Sequence, residues 1–482
     1  MHPNVLHRRP GALPLSAWPG LMLALGLMTA CAPIPQQPAT PQRLQGETLG
    51  LKSADAAGPA LVDTAWWRAW GDERLNALMD KALRDAPSLA LARARIAKAG
   101  AAVDNATAAD KPVIGMGLDI ERQRFSEHGM YPPPLAGSVQ NTATLQVGVS
   151  YDWDFFGRHQ AALQATLGQQ RALQAEGEAA RLNIASAVLR AWLGLARSVS
   201  QEQLLQQQIV LRQQALDLVR QRRAAGLDTD IDLRSAEAPL ADLQRQVLAL
   251  RQLAQGYRVQ LAALSVQPLE ALADWQPALP ATVAPATVPS LDLLASRPDV
   301  RAALARVEAA GYEITAARGR FYPDLALNAF AGFSSIGLDK LLESGSHQLG
   351  FGPSLRLPLF DTGRLRAGFK SAVAEQEAAV AAYNAAVLEG VRDAREQWEA
   401  LRSLQAQQAP QEALLRSNEQ QLGLAKERQA AGLGNRLPVI QAQLALLQQQ
   451  RQSLELRAQQ LDSRVLLMRA LGGEALRTEP RA

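Results

Sequence analysis

Cysteine is almost missing from this chain: Cys31 is the only one in 482 residues, so its thiol has no partner within the chain. Histidines are few and scattered, with no ligand spacing, and no metal site is expected. Aromatic residues make up only 5% of the sequence, while Ala, Gln, Leu and Arg dominate, which favours long helices over a compact enzyme core. An excess of one charge is also lacking. The formal net charge is +4, with basic residues interspersed among acidic ones, and this leaves no nucleic-acid footprint. Nothing matches a nucleotide loop, a catalytic triad or a redox motif, so the chain is not expected to be an enzyme or to carry a cofactor. The one apolar run, Trp18 to Ala30, is too short to span a bilayer comfortably.

That run follows His7, Arg8 and Arg9 and ends in Met28-Thr29-Ala30-Cys31, which reads as a signal peptide over residues 1–30. Small residues before a cysteine resemble a bacterial lipobox, with Met28 in place of the usual leucine. The alternative is an ordinary secretory cleavage site. An exposed lone thiol in an exported chain favours covalent lipid at Cys31. Ala32 stands where an aspartate would resemble an inner-membrane retention signal, which directs the lipid to the outer membrane. Residues 31–60 then form a tether, rich in Pro and Gln at first.

What is present in abundance is repetition. Phe156-Gly157-Arg158 recurs as Thr362-Gly363-Arg364, Trp192 as Trp398, and Ala224-Ala225-Gly226-Leu227 as Ala430-Ala431-Gly432-Leu433, all 206 positions apart. Pro87, Ala99-Gly100 and Pro112 recur as Pro298, Ala310-Gly311 and Pro323 at an offset of 211. One duplicated architecture accounts for both. It divides the chain into repeat 1 (61–275), repeat 2 (276–473) and a tail (474–482).

After Pro112 and Pro323 the apolar period changes to two. Ile114, Met116, Leu118 and Ile120 share one face, as do Ala143, Leu145, Val147, Val149, Tyr151 and Trp153. In the second copy Leu325, Leu327, Ala329, Ala331 and Phe333 share a face, as do Leu349, Phe351, Leu355, Leu357 and Leu359. Strands are predicted at about 113–124, 141–153, 324–334 and 347–359, each long enough to cross a bilayer when tilted. A half-buried soluble sheet shows the same alternation. Small polar residues on the opposite face of all four favour a water-filled transmembrane barrel.

Four strands cannot close, and open edges are not tolerated in lipid, so copies of the chain must pool them. Two copies give eight strands and a filled interior. Three give twelve and a channel, and the homotrimer is preferred.

The rest is helical. Arg158 to Arg222 contains no proline and would extend about 98 Å as one helix. Helices are also expected over Pro87–Asp110, Thr229–Leu264, Pro298–Arg320, Arg364–Gln429 and Asn435–Leu471. Pro410 should kink or break the long helix of the second copy. The fold class is therefore mainly α with a transmembrane β-barrel: in a trimer, twelve strands continuous with a periplasmic α-helical barrel.

At this point the residues resemble a known family, the outer-membrane factors of tripartite efflux pumps and type I secretion (TolC/OprM-like channels). The resemblance rests on Trp66-Trp67 with Trp70-Gly71-Asp72, on Tyr151 to Arg158, on Ser296-Arg297-Pro298-Asp299-Val300 and on Leu357 to Arg364. The lipobox points to the lipoprotein, NodT-type branch. Phe321-Tyr322-Pro323 and Ala331-Gly332-Phe333-Ser334-Ser335 resemble the subset exporting aromatic acids or multiple drugs.

The resemblance implies that Gly226, Leu227, Gly432 and Leu433 form a periplasmic tip contacted by an adaptor protein; plain helix C-caps would look the same. It also implies a closed-state gate near that tip. Asp232 matches an acidic position of the gate, Gly434 stands at the matching basic position, and Gln441 replaces a common aspartate. Asp228, Asp230 and Asp232 would make the entrance negative, with Arg436 as counter-charge. Solvated surface charge is the simpler account of these side chains.

The expected function is a passive exit duct carrying drugs or small toxic compounds, aromatic ones included, from an inner-membrane pump and periplasmic adaptor to the exterior. Its other expected contact is outer-membrane lipid. A type I protein-secretion duct and a non-transporting envelope scaffold are the competing readings.

Overall fold

The computed structural model describes residues 36, 39, 41–44, 66–280, 296–358 and 361–473. Cys31, the signal peptide, most of the tether and the tail 474–482 lie outside the described residues. The chain divides into two compact units, and neither coincides with a repeat. The first combines 99–170 with 306–379. The second combines 42–98, 171–305 and 380–482. Each therefore draws matching segments from both copies.

The chain order begins with a 3-10 turn (Trp66–Trp70), α1 (Glu73–Asp85), α2 (Pro87–Ala108), β1 (Val113–Arg124) and β2 (Val139–Trp153). It continues with α3 (Arg158–Ala224), α4 (Asp230–Leu264), α5 (Pro298–Gly319), β3 (Asp324–Ile336) and β4 (His347–Arg356). It ends with α6 (Thr362–Ala406), α7 (Gln408–Ala430) and α8 (Leu437–Ala470). No helix among the described residues is long and apolar enough to cross a membrane.

Local chemistry sets many of these boundaries. The Asp72 carboxylate accepts the Leu75 amide at 3.0 Å and caps α1. Pro87 opens α2 at a position where its missing N–H costs nothing. The predicted long helix of the second copy is interrupted at Gln407. Pro410 offers no N–H to the Ala406 carbonyl, and its ring crowds that group, so the break falls one turn ahead of the proline. Pro239 lies inside α4 without interrupting it. The carbonyl it leaves unpaired belongs to exposed Ser235, where water can satisfy it.

In the first unit the four strands form one antiparallel sheet in the order β1-β2-β3-β4, so β1 and β4 are its edges. Three strand limits differ from expectation. β2 begins at Val139, β3 continues to Ile336, and β4 stops at Arg356, opposite Asp324 where β3 itself begins. The connection 125–138 is longer than 337–346, and this supplies most of the shift in repeat offset. A small core of Ile314, Ala317, Phe321, Leu365 and Phe369 joins α5 to α6.

The second unit has the larger core. Trp192 of α3 is 1% exposed and stacks on Trp70 with ring centroids 5.6 Å apart. Leu75 and Met79 of α1, Leu261 of α4, and Leu461 and Val465 of α8 complete the cluster. Gly194 makes room beside it for the Tyr257 ring, which a Cβ there would overlap. The repeat partner of Trp192 has a different role. Trp398 is partly buried and carries the Arg402 guanidinium over its ring at 5.6 Å.

Candidate functional site

Two surfaces hold the residues singled out by sequence. The first is the sheet. Its register aligns Met116, Val147, Ala331 and Leu349 in one cross-strand row, and Ile114, Val149, Ala329 and Phe351 in the next. Along the edge strands these side chains are exposed; Phe351 is 85% and Met116 is 72% accessible. Such a contiguous apolar face is foreign to a soluble monomer and marks a surface that meets lipid or protein. At one end of the sheet Trp153 stacks on Phe155 at 5.1 Å, while Phe156 lies flat against Tyr322 at 4.5 Å. Aromatic clusters of this kind, with Trp153 and Tyr322 supplying the polar groups, favour a membrane–water boundary.

The opposite face is polar. Asp119, Thr144 and Ser334 are in register, and the Thr144 and Ser334 hydroxyls lie 3.2 Å apart. Gly332 permits close approach to β2, since a Cβ there would meet the Leu145 carbonyl at 2.1 Å. Large apolar residues on this face are Val113, Ile336 and Phe330. The Phe330 ring covers the space above Gly350, where a Cβ would lie 2.7 Å from the ring.

The second surface is the pair of helix turns in the second unit. Gly226 has φ +73° and Gly432 has φ +71°, both in the left-handed region that favours glycine. The Gly226 amide donates to the Arg223 carbonyl at 2.9 Å, and the Leu227 amide donates to the Arg222 carbonyl at 2.8 Å. Gly432 and Leu433 repeat this with Gln429 and Arg428, both at 3.0 Å. Both turns are thus Schellman caps, and both place a leucine outward: Leu227 is 68% and Leu433 is 69% exposed. Ile231 is exposed beside the first.

The three aspartates predicted for the entrance gather in the first turn, and each is engaged there. Arg222 grips Asp228 with two nitrogens at 2.9 Å, and Arg223 meets Asp230 at 2.6 Å. The Asp228 hydrogen bond holds the Arg222 guanidinium above its ordinary pKa. Asp232 closes a capping box with Thr229. Its carboxylate accepts the Thr229 hydroxyl at 2.6 Å and amide at 2.8 Å, which lowers its pKa. Within one chain the counter-charges are therefore Arg222 and Arg223, which sequence reasoning missed. Their spacing of six and seven residues across a glycine turn was the available signal.

Arg436 instead donates to Gln214 of α3 at 3.0 Å, tying the second turn to the first repeat. Gln441 is exposed on α8. Unlike α4, α8 has no capping box: it starts from Arg436 in helical conformation, and the Asn435 side chain accepts the Leu437 amide at 3.1 Å.

The sequence profile of the outer membrane efflux proteins matches residues 78–265 and 291–473. The chain belongs to that family. It is 29% identical over 466 residues to the multidrug resistance outer membrane protein MdtP of Escherichia coli K12, covering 93% of this chain and 94% of that one. A similar protein, MdtQ of Escherichia coli O157:H7, is 29% identical over 470 residues, covering 93% and 96%. The crystal structure of the outer membrane protein VceC from Vibrio cholerae superposes with a TM-score of 0.77 at 31% identity, covering 86% of this chain and all of that one. The helix-and-sheet fold is thus that of outer-membrane channels, and family membership places this efflux protein in the outer membrane. Family members are channels, so the two surfaces are read as conduit and contact surfaces rather than as a catalytic centre.

Proposed function

We propose that three copies of this chain pool their sheets into a twelve-stranded barrel that serves as the exit duct of a tripartite multidrug efflux system. The observation that carries this reading is a membrane-length sheet with an exposed apolar face, a polar face and two unpaired edges. Lipid tolerates the first feature and penalises the last, so the edges must pair with other copies. Eight strands would fill with side chains, whereas twelve leave a conduit. The polar face then lines water.

An adaptor protein docks on the tips. Leu227, Ile231 and Leu433 support this role, being apolar, exposed and held on glycine-capped turns. Asp228, Asp230, Asp232, Arg436 and Gln441 line the neighbouring entrance, and the Arg436–Gln214 bond is the link that opening would have to break. Energy comes from an inner-membrane pump, and a lipid on Cys31 anchors the amino terminus. Cargo comprises drugs and small toxic compounds, in keeping with the multidrug names of the relatives.

Planar-bilayer recording tests the duct. Purified protein should give discrete ion-current steps, and persistent silence would reduce the chain to a scaffold. Leu227→Asp with Leu433→Asp should keep the current steps and abolish adaptor-dependent drug efflux in cells.

A further inference from the structure

The first unit contains a cavity of about 750 Å³ where the ends of β3 and β4 meet the starts of α3 and α6. Four arginines line it: Arg158, Arg320, Arg356 and Arg364, accompanied by two carboxylates, Asp324 and Asp361. The carboxylates are already engaged. Arg158 holds Asp324 at 2.6 Å, and the Arg364 Nε donates to Asp361 at 2.7 Å. Asp324 stands opposite Arg356 in the strand register, yet its carboxylate is bonded to Arg158. Arg320 and Arg356 thus have no carboxylate partner among the described residues, and both are exposed. The cavity keeps two uncompensated positive charges.

Two further features add to this potential. The first turns of α3 and α6 line the cavity, bringing the positive ends of two long helices to it. His159 accepts from Arg158 at Nε2 (2.9 Å), which leaves the proton of the neutral ring on Nδ1. That buried Nδ1 has no partner.

We infer that this cavity is a binding station for solutes bearing a carboxylate, sulfonate or phosphate group, held by Arg320 and Arg356. Guanidinium groups present paired N–H donors that match such oxyanions two by two. Asp324 and Arg356 belong to the polar face of the sheet, so the station opens to solutes in the pore. This placement rests on the reading that the polar face lines water. Three copies would set six unpaired guanidinium groups around the pore and give the duct an anion preference.

The test is the reversal potential of the intact protein in planar bilayers under a KCl gradient, with the double variant Arg320→Gln, Arg356→Gln beside the unaltered chain. Unaltered protein should favour chloride over potassium, and the variant should lose about threefold of that preference, the effect of removing roughly one kT of local potential. Arg320→Lys with Arg356→Lys keeps the charge and should retain most of it. Inorganic phosphate added to the bath should reduce the current of the unaltered pore more than that of the glutamine variant.

Unchanged selectivity with normal conductance in the glutamine variant would overturn the station. Complete absence of current in the unaltered protein would instead count against the duct itself. Native mass spectrometry supplies the remaining arm. A phospholipid retained by the purified protein and lost in the glutamine variant, with selectivity unmoved, would assign the cavity to a lipid headgroup and overturn the solute reading.

Discussion

At the scale of residues, the two tips use one backbone device with different side chains. Gly226 and Gly432 were legible from sequence because a left-handed C-cap needs glycine and both copies kept it. The aspartates were legible as a cluster, but their partners were not. An acidic run in a turn looks the same whether its counter-charge lies six residues back or on another element. Asp232 offers a check on the capping box. Its folded pKa lies below the ordinary carboxylate value of about 3.9, so its contribution to stability is present above that value and lost as pH falls through the folded pKa. Thr229→Ala removes the hydroxyl donor, the larger cause of that shift. Acid-induced loss of amide protection over 230–233, followed by hydrogen exchange, should then begin at a higher pH than in the unaltered chain. An unchanged onset would show that the backbone bond alone sustains the cap.

At the scale of elements, the alternation of apolar residues made all four strands readable, because a side-chain period of two survives any uncertainty about register. The strand ends were less readable, since pairing, not composition, decides where a ladder stops. β3 ran on to Ile336 because β2 supplied partners as far as Thr142. Helix breaks show the same limit. Pro410 forecast a break but Pro239 lies inside a continuous helix, and local sequence does not separate the two cases. Pro410→Ala should let an amide at 410 reach the Ala406 carbonyl and merge α6 with α7. Hydrogen exchange over 408–411 should slow about fivefold, equivalent to about 1 kcal/mol for one restored bond. No slowing would mean that tertiary packing, rather than the proline, holds the break at Gln407.

At the scale of the whole molecule, the duplication was visible at once, whereas its spatial consequence was not. The compact units cut across the repeats, each taking matching segments from both. The arginine cavity illustrates what such assembly conceals. Arg158, Arg320, Arg356 and Arg364 are spread over more than two hundred positions, and only Arg158 and Arg364 share a repeat signature. Burial of the apolar sheet face in lipid can be checked directly. Phe351→Arg places a charge on that face and should destabilise the membrane-inserted form by about 2–4 kcal/mol if the site lies near the bilayer midplane. Denaturant titration of protein refolded into lipid vesicles measures this, and a change under about 0.5 kcal/mol, the range typical of ordinary surface sites, would place Phe351 outside the hydrocarbon.

The open edges of the sheet also carry a genetic consequence. A protomer that cannot close by itself makes every ring a shared product, so a defective copy harms its companions as well as itself. If mutant and normal chains were made equally and mixed at random in threes, roughly one ring in eight would contain only normal chains. Alleles that still pair along β1 and β4 but block the conduit would therefore be dominant, whereas alleles that destroy the edges would be recessive.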